Sequence, residues 1–349
     1  MTVINSVFSG LLLLGTVSAI AAPSKILFGS CGHQDKPIAI FDAINKEQAD
    51  LFMFLGDNIY GDTEDMAVLA EKYQRLGQKP GFKTLRANTP VIAMWDDHDY
   101  GENDAGSDYP QKQQSRQIML DFWQEPANSA RRTRADGIYT SYTYGEGERT
   151  VKVIMPDLRF NRAPLNQVSA TTYQLERKPA KQGPYSPSTD KKASMLGETQ
   201  WQWLENELKS DEKIKIIASS LQLLADFTGW ESWANYPADR ERLFALIKKH
   251  KVNGVIIVSG DTHWGELSKY QQGLDYPLYE MTSSGLTEKW KDVSPNKYRV
   301  GDYTHEVNYG DLSIDWQTTD PRIRIALKGI NGKEILHTEF ALSSISPYQ

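Results

Sequence analysis

Short apolar runs, rich in β-branched and aromatic residues, constrain the fold of this chain more than any other feature. They are "KILFGS", "LFMFLG", "PVIAMW", "VKVIMP", "IKIIAS" and "GVIIVSG", with helical patterns between several of them. Uninterrupted runs of this length predict strands that are buried on both faces, as in parallel sheets covered by helices. The later segments "LSIDW", "RIRIALKG" and "KEILHTEFAL" follow one another without helices and predict antiparallel strands. We therefore predict an α/β fold, a layered sandwich with mixed β-sheets.

Three helices and one long insertion are predicted between these strands. The helical patterns are "EDMAVLAEKYQRL", "TQWQWLENELK" and "PADRERLFALIKKH", and the last has Pro237 at a favoured first helical position. Residues 165–196 are polar, rich in lysine and broken by proline and glycine, which predicts a surface insertion that is either functional or mobile. With 349 residues, of which 40% are hydrophobic, the chain can bury one large core or two ordinary ones. We interpret residues 23–349 as a single domain.

The first 22 residues predict a secretory signal peptide. Their apolar segment is too short to span a bilayer comfortably, and it ends in small residues at Ala19 and Ala21. Cleavage near Ala22 or Pro23 would give a secreted or periplasmic protein without a stable membrane span. The basic residues that usually begin a signal peptide are missing, which leaves an uncleaved anchor or a misassigned start as alternatives. A net charge of −6 argues against nucleic acid as the main partner.

An acidic cluster follows the third apolar run. The stretch "MWDDHDYGEND" places five acidic side chains within eleven residues, around His98. Like charges this close repel one another, so a folded protein keeps them together only with solvent, lysines or a metal ion among them. A solvated loop and a calcium site without chemistry are the simpler interpretations.

Three other predicted strands end in residues of the same kind. The residues in question are Cys31 and His33, Asp57 and Tyr60, and Asp261 and His263. In open α/β sheets the carboxyl ends of strands meet at one crevice, where thiolate, phenolate, imidazole and carboxylate together would select a pair of metal ions. Taken singly, each is more often a turn residue or a buried structural side chain. Their joint occurrence at strand ends predicts a metal centre.

The chain carries a series of short motifs in a fixed order. They are "GSCGH", "GDNIYGD", "MWDDHDYGEND", "MPDLRFNR", "LGETQWQWL", "GWESWANYPADRERL", "SGDTHWGEL" and "NYGDLSIDW". This series resembles the alkaline phosphatase D (PhoD-like) family of metallophosphoesterases over the chain after the signal segment. "GDNIY" is also similar to the Gly-Asp-x-x-Tyr element of purple acid phosphatases, whose Asp bridges two metals and whose Tyr binds ferric iron. The resemblance implies an αββα metallophosphoesterase-like sandwich with iron and calcium in a binuclear or larger centre.

The resemblance also implies the ligands of that centre. They are Cys31, Asp57, Tyr60, Asp97, Asp261 and His263. Asp97 and Asp261 stand where the broader superfamily has Asn and His, and carboxylate oxygen at these places suits calcium. The superfamily has Asp-x-His where this chain has Cys31 and His33, which implies a thiolate ligand and leaves His33 out of the ligand set.

Four residues are candidates for substrate binding or catalysis. Arg159 and Arg162 in "DLRFNR" are predicted to bind substrate phosphate, and Arg159 to assist catalysis, because a planar guanidinium pairs with two phosphate oxygens. An ion pair with Asp157 or another acid is the alternative. Asn58 is a candidate to contact phosphate or to shape its own turn, and His98 is the predicted general acid.

Together these features predict a secreted, metal-dependent phosphoesterase that acts on phosphomonoesters, phosphodiesters or both. The resemblance implies that a metal-bound hydroxide attacks phosphorus in line while the leaving oxygen takes a proton. The metal ions would also supply the positive field that an anionic substrate needs on a chain of net negative charge. The alternative is an exported protein that binds calcium or a phosphoryl ligand without turnover.

The tryptophans predicted to pack helices rather than to form substrate platforms are Trp201, Trp203, Trp230 and Trp233.

Overall fold

Two large mixed β-sheets, packed against each other, form the centre of the computed structural model, which describes residues 21–348. The strands in this range are β1 (Lys25–Gly29), β2 (Leu51–Leu55), β3 (Val91–Met94), β4 (Thr140–Glu146), β5 (Arg149–Met155), β6 (Asn166–Gln167), β7 (Tyr185–Ser186), β8 (Ile214–Ala218), β9 (Val255–Ser259), β10 (Gly265–Tyr270), β11 (Leu278–Ser283), β12 (Arg299–Thr304), β13 (Asn308–Asp315), β14 (Arg322–Gly329) and β15 (Glu334–Ala341). The helices are α1 (Ile40–Lys46), α2 (Met66–Gln78), α3 (Pro80–Asn88), α4 (Asp97–Tyr100), α5 (Lys112–Phe122), α6 (Ala130–Thr133), α7 (Ala170–Thr172), α8 (Glu198–Leu208) and α9 (Pro237–Lys249). Most of the predicted signal segment, residues 1–20, lies outside the described residues.

The first sheet has the strand order β15-β14-β13-β1-β2-β3 and the second the order β12-β10-β11-β9-β8-β5-β4. In the first sheet β1, β2 and β3 are parallel, whereas β13, β14 and β15 pair antiparallel. In the second, β5, β8, β9 and β11 are parallel, and β4, β10 and β12 add antiparallel pairs. All six apolar runs therefore form strands, and the antiparallel pairing of the late segments is confirmed.

Alternate side chains of the central strands face two different cores. Ile26 and Phe28 of β1 join the core between the sheets, whereas Leu27 joins a second core with α1, α2, α3 and α5. Helices α8 and α9 pack on the second sheet through residues such as Trp201 and Leu243. Burying one large apolar side chain contributes about 1.5–3 kcal/mol, so these two cores supply most of the stability. The layers confirm the predicted α/β sandwich with mixed sheets.

The three helices predicted from periodicity all form, as α2, α8 and α9. The carboxylate of Asp65 caps α2 by accepting the backbone N–H groups of Ala67 and Val68. Pro237 occupies the first turn of α9, where its missing N–H costs no helical hydrogen bond. None of the helices in residues 21–348 combines the length and the apolar character needed to cross a bilayer.

The predicted insertion, residues 165–196, contains the hairpin β6–β7, helix α7 and a π-helical turn that continues α7. Its main chain is joined to the loop before α9 by hydrogen bonds from Gly183 N to Thr228 O (3.0 Å) and from Tyr185 N to Gly229 O (2.8 Å). Most of the insertion is exposed or partly exposed, but the Tyr185 side chain is buried. The insertion thus lies on the surface and sends one aromatic residue inward.

Candidate active site

The carboxyl ends of β1, β2, β3 and β9 meet at one end of the two sheets, as the sequence predicted. Three sets of side chains there have ligand atoms within 4.8 Å of one another. They are Cys31, Asp57 and His263; Asp57, Asp96, Asp97 and Asp261; and Asp57, Asp97 and His98. The hydroxyl of Tyr60 lies 3.0 Å from Nε2 of His263. The structure therefore brings all six predicted ligands together, with Asp57 shared between the sets.

The backbone at these positions is unusual. Cys31, Asp57, Asp261 and His263 have φ values of 61°, 49°, 73° and 63°, in the left-handed region that residues other than glycine seldom occupy. Such conformations cost on the order of 1–3 kcal/mol each and cluster at functional sites. Gly56, with φ 97°, precedes Asp57, and a Cβ atom there would lie 2.7 Å from the backbone nitrogen of Asp96. An ordinary turn would explain an aspartate or a histidine in this conformation more readily than it would explain Cys31.

Cys31, Asp57, Tyr60 and His263 make up the first ligand group. The Sγ atom of Cys31 lies 3.4 Å from Oδ2 of Asp57 and 3.1 Å from Oγ of Ser284. The same serine hydroxyl accepts the backbone N–H of His263 at 2.7 Å, which fixes the histidine relative to the cysteine. Sulfur, phenol, imidazole and carboxylate together form a mixed donor set suited to a transition metal.

Asp57, Asp96, Asp97 and Asp261 make up the second ligand group, which offers oxygen only. Asp99 lies in the same sequence cluster but has a different role. Its carboxylate accepts the backbone N–H groups of Asp57 (3.2 Å), Asn58 (3.2 Å) and Asp96 (2.6 Å) and so shapes both loops. An all-oxygen group of carboxylates suits a hard cation such as calcium.

Unpaired buried oxygens show that the second group fits a cation. Oδ1 of Asp57, Oδ2 of Asp96 and Oδ1 of Asp97 are buried and accept no hydrogen bond from the described residues, although Oδ1 of Asp97 lies 3.5 Å from Nη2 of Arg159. Leaving one such atom unpaired costs about 1–3 kcal/mol, so three of them in one place call for a positive partner. Burial, followed by the charge of Asp97, raises the pKa of Asp57, and burial, followed by Asp96, raises that of Asp261. A bound cation would reverse both effects by stabilising the ionised carboxylates.

In the first ligand group, too, burial and neighbouring charges shift the pKa values of the side chains. Burial and the nearby Asp57 raise the pKa of the Cys31 thiol, and burial with Cys31 raises that of the Tyr60 phenol. Burial lowers the pKa of His263 to about 4, which keeps the imidazole neutral and its nitrogen lone pair available to a metal. A bound cation would oppose these shifts and favour the anionic thiolate and phenolate.

His98 lies beside both groups and lines the cleft above them. Its Nδ1 atom is 2.6 Å from Oδ1 of Asp62, and its ring lies against that of Tyr60 with centroids 4.2 Å apart. Burial would lower the pKa of His98, but Asp97 and Asp62 raise it to about 9. The geometry therefore presents at the cleft an imidazole held by a carboxylate, a position from which it could donate a proton.

Arg159 and Arg162 are buried behind the cleft and are ion-paired. Nε of Arg159 donates to Asp96 at 2.6 Å and Nη1 donates to Glu231 at 2.6 Å. Nη2 of Arg162 lies 3.2 Å from Glu231, and neither guanidinium lines the cleft. The ion-pair alternative therefore describes both side chains, with Asp96 and Glu231 as acids. Direct phosphate binding would require these pairs to open, and it stays a prediction.

Asn58 and His33 also lie away from the cleft lining. The Nδ2 atom of Asn58 donates to the carbonyl of Met94 at 2.8 Å and also contacts Asp99, so this side chain shapes its own turn. The ring of His33 stacks on Tyr60 with centroids 4.8 Å apart and belongs to neither ligand group. The contact of Asn58 with phosphate stays a prediction, and the omission of His33 from the ligand set agrees with its position.

Several residues at the site were not predicted from the sequence. Glu231, between two tryptophans, joins Asp97 and Asp104 in a further acidic set and neutralises both arginines. Tyr185 of the insertion donates its hydroxyl to Asp104. An acid inside the aromatic stretch "GWESW" was the available signal for Glu231, because a charge there must be paired. No local pattern indicated Tyr185, since its partner is distant in sequence.

The cleft has a volume of about 190 Å³, which suits a small ligand. Carboxylates and His98 form part of its lining, and Trp230, Trp264 and Trp290 form another part. Trp201 and Trp233 are core residues whose rings pack 6.3 Å apart, as predicted, but Trp230 lines the cleft instead.

Comparison with known proteins places this chain in a family. The model of the PhoD-like phosphatase family matches residues 26–308. The alkaline phosphatase D of Bacillus subtilis (strain 168) is 25% identical over 278 residues, which cover 68% of this chain and 45% of that protein. The chain thus matches less than half the length of this curated relative.

Solved structures show the same fold. A structure of PhoD superposes with a TM-score of 0.68 and 17% identity, covering 93% of this chain and 69% of that one. A dimetal phosphatase from Danio rerio gives a TM-score of 0.54 with 15% identity, covering 92% of this chain and 100% of that one. At these identities the structures establish a shared fold, and the family model covers most of the chain. This chain belongs to the PhoD-like phosphatase family.

Proposed function

We propose that this protein is an exported, metal-dependent phosphoesterase that hydrolyses phosphomonoesters, phosphodiesters or both. The observation that carries the proposal is the convergence of six ligand-type side chains from separate strand ends, with three buried carboxylate oxygens that accept no hydrogen bond from the described residues. Membership of the PhoD-like phosphatase family supports the same chemistry. A purely structural cluster of acids would pair these oxygens instead of leaving them buried and free.

The two ligand groups differ in the metal that they would hold. Cys31, Asp57, Tyr60 and His263 would hold iron, because thiolate, phenolate and imidazole favour a transition metal. The all-oxygen group, with Asp57 shared, would hold calcium. Metal ions bound there would polarise the phosphoryl group and lower the pKa of water so that a nucleophile is available near neutral pH.

The chain's own side chains would complete the reaction. His98 would protonate the leaving oxygen of the ester, and Asp62, which bonds to Nδ1, would orient the imidazole. Arg159 would keep Asp96 and Asp97 ionised and in place, because it pairs with both carboxylates. Arg162 and Asn58 are also predicted to contact phosphate, but the roles proposed for His98, Asp62 and Arg159 do not depend on those contacts.

Export is proposed from the sequence of residues 1–22 alone. In the structure the carbonyl of Pro23 accepts a hydrogen bond from Nε1 of Trp316 (3.0 Å), and the carbonyl of Ser24 accepts the backbone N–H of Ile314 (2.7 Å). Cleavage after Ala21 or Ala22 would therefore leave the first fixed residues of the body intact. The intact mass of the protein isolated from its natural host tests this, and a full-length chain in the membrane fraction would contradict it.

Replacement of the shared ligand tests the proposed enzyme. We expect the wild type, loaded with iron and calcium, to hydrolyse nitrophenyl phosphate or bis(nitrophenyl) phosphate, and Asp57→Asn to lose bound metal and activity together. Asp302→Asn, at an exposed position of β12, is the matched control and should retain both. Full activity with normal metal content in Asp57→Asn would contradict the shared-ligand role. Metal and phosphate-ester binding by the wild type without hydrolysis would favour the non-catalytic binding protein.

A further inference from the structure

Two tryptophan rings line the cleft beside the ligand groups. Trp230 and Trp290 pack edge to face, with ring centroids 5.4 Å apart and planes at 79°. In this arrangement most of the ring surface is not covered by the partner ring. Trp290 remains 38% exposed, so a large apolar surface faces the opening of a highly polar site.

Neighbouring main-chain atoms position both tryptophans at the site. The backbone N–H of Trp290 donates to the carbonyl of His263 at 3.0 Å, which places this ring next to a proposed metal ligand. The insertion supports Trp230, because a Cβ atom added to Gly183 would lie 2.6 Å from a carbon of the Trp230 ring. The backbone positions of both tryptophans are therefore set by the fold before a ligand binds, which limits the conformational entropy lost on binding.

Charge at the cleft limits what these rings would contact. Among the described residues that line it, lysine and arginine are absent. Glu231 is neutralised by the two buried arginines, and the Asp104 carboxylate is engaged by Tyr185. His98 and His263 are the basic residues among the described lining residues, and the proposed roles of proton donor and metal ligand already occupy them, so a further anionic group would find no free cation. A further cationic group would find Glu231 and Asp104 engaged and the other lining carboxylates assigned to the ligand groups. Recognition beyond the phosphoryl group therefore falls to the two uncharged rings.

We propose that Trp230 and Trp290 form the subsite for the leaving alcohol and select phosphate esters whose alcohol carries a planar aromatic ring. This inference rests on the proposed phosphoesterase function. Stacking of a planar ring on tryptophan tolerates many ring types, so the class includes benzyl and nucleobase-bearing alcohols.

Benzyl phosphate and ethyl phosphate test the subsite, because their alcohols are similarly basic and differ mainly in the ring. We expect the metal-loaded wild type to prefer benzyl phosphate, and Trp290→Ala to lose about tenfold in kcat/KM for benzyl phosphate but little for ethyl phosphate. Trp290→Phe should retain most of the preference. Trp203→Ala is the matched control, since that partly buried ring packs on Tyr139 and does not line the cleft.

Binding of the non-hydrolysable benzylphosphonate and ethylphosphonate gives a second readout that does not need turnover. Selective binding of benzylphosphonate, lost in Trp290→Ala, supports the subsite. Equal losses on both esters, no preference in the wild type, or a preference for phosphocholine over benzyl phosphate overturns it while leaving the phosphoesterase intact. Absence of hydrolysis of every ester overturns the proposed function, and the phosphonate comparison then decides whether the rings still select an aromatic ligand.

Discussion

His98 is held at the cleft by the 2.6 Å contact between its Nδ1 atom and Asp62, which makes it the side chain best placed to deliver a proton. We expect His98→Asn to lower the rate of alkyl phosphate hydrolysis by about 10²–10⁴-fold. Nitrophenyl esters should lose much less, because a nitrophenolate leaves without a proton. The ratio of kcat values on the two ester classes, at unchanged metal content, is the measurement. Equal losses on both classes would leave His98 as a ligand or a phosphate hydrogen-bond donor.

Arg159 is a buried cation that bonds two acids at once, Asp96 and Glu231. A lysine in its place keeps the charge but cannot reach both carboxylates. Breaking a buried ion pair costs roughly 3–5 kcal/mol, and we expect Arg159→Lys to lose a large part of that in the free energy of unfolding. KM for phosphate esters should change little in the folded fraction.

Chemical denaturation and steady-state kinetics of the same preparation check this expectation for Arg159. Arg131→Lys is the control, because Arg131 is equally buried and pairs with Glu125 at 3.0 Å without lining the cleft. Unchanged stability together with a raised KM in Arg159→Lys would show instead that the guanidinium binds substrate phosphate.

The ligands at the strand ends could be predicted from the sequence because residues that follow parallel strands lie at the same edge of a sheet. Asp57 and Asp261 directly follow buried strands, so their convergence follows from the sheet alone. Glu231 and Asp62 could not be predicted in the same way. Their roles depend on partners that only the folded chain brings near, and an isolated acid carries no sign of its partner.

At the scale of elements, Glu47 at the end of α1 ties together three strands. Its carboxylate accepts hydrogen bonds from Lys25 of β1 (2.8 Å), Tyr309 of β13 (2.9 Å) and Lys328 of β14 (2.8 Å). Partial burial would raise the pKa of Glu47, but these three partners outweigh it and lower the pKa to about 2. The lowered pKa means that the unfolded chain binds the proton more readily than the folded one.

The stabilisation from Glu47 should therefore be complete above the ordinary glutamate pKa and disappear as the pH falls towards 2. We expect Glu47→Gln to cost about 1 kcal/mol at pH 7, within the range of a partly exposed ion pair, and less at pH 3. Thermal melts of variant and wild type across this pH range measure the difference. Glu71→Gln, in an exposed pair with Arg75, serves as control. A difference in Tm that grows with acidity would contradict this assignment.

Element boundaries followed from the sequence where pattern and length agreed, as in α9 with its proline and in the fully buried β8 and β9. The short hairpin β6–β7 and the helix between its strands could not be predicted. The polar residues of this insertion lack periodicity, and contacts with the loop before α9 define its shape.

For the whole molecule, the proposed metal centre couples ligand binding to folding. Removal of iron and calcium by a chelator should lower Tm and abolish activity, because a ligand at 100 times its dissociation constant stabilises the folded state by about 2.7 kcal/mol. Calorimetry of the loaded and chelated wild type measures the shift, and readdition of the ions should restore it. Asp57→Asn should show a smaller shift. A Tm that is indifferent to chelation would contradict a shared, buried centre.

The order and pairing of the strands in the two sheets could not be predicted from the sequence. The apolar runs predicted strands and mixed sheets, yet β1 pairs with both β2 and the far later β13. A fully buried run is compatible with many neighbours, because side chains on both of its faces are apolar. The division of the strands between two sheets is therefore decided by packing across the whole chain.

The two ligand groups draw on both sheets, with Cys31, Asp57 and Asp97 following strands of the first and Asp261 and His263 following a strand of the second. Bound ions would therefore link the sheets at one end, while a largely apolar core joins them along the rest of their length. In hydrogen–deuterium exchange, metal loading should slow amide exchange in the ends of β1, β2 and β9 together rather than in one sheet. The metal centre would then cross-link the two sheets of the sandwich in addition to carrying out the chemistry.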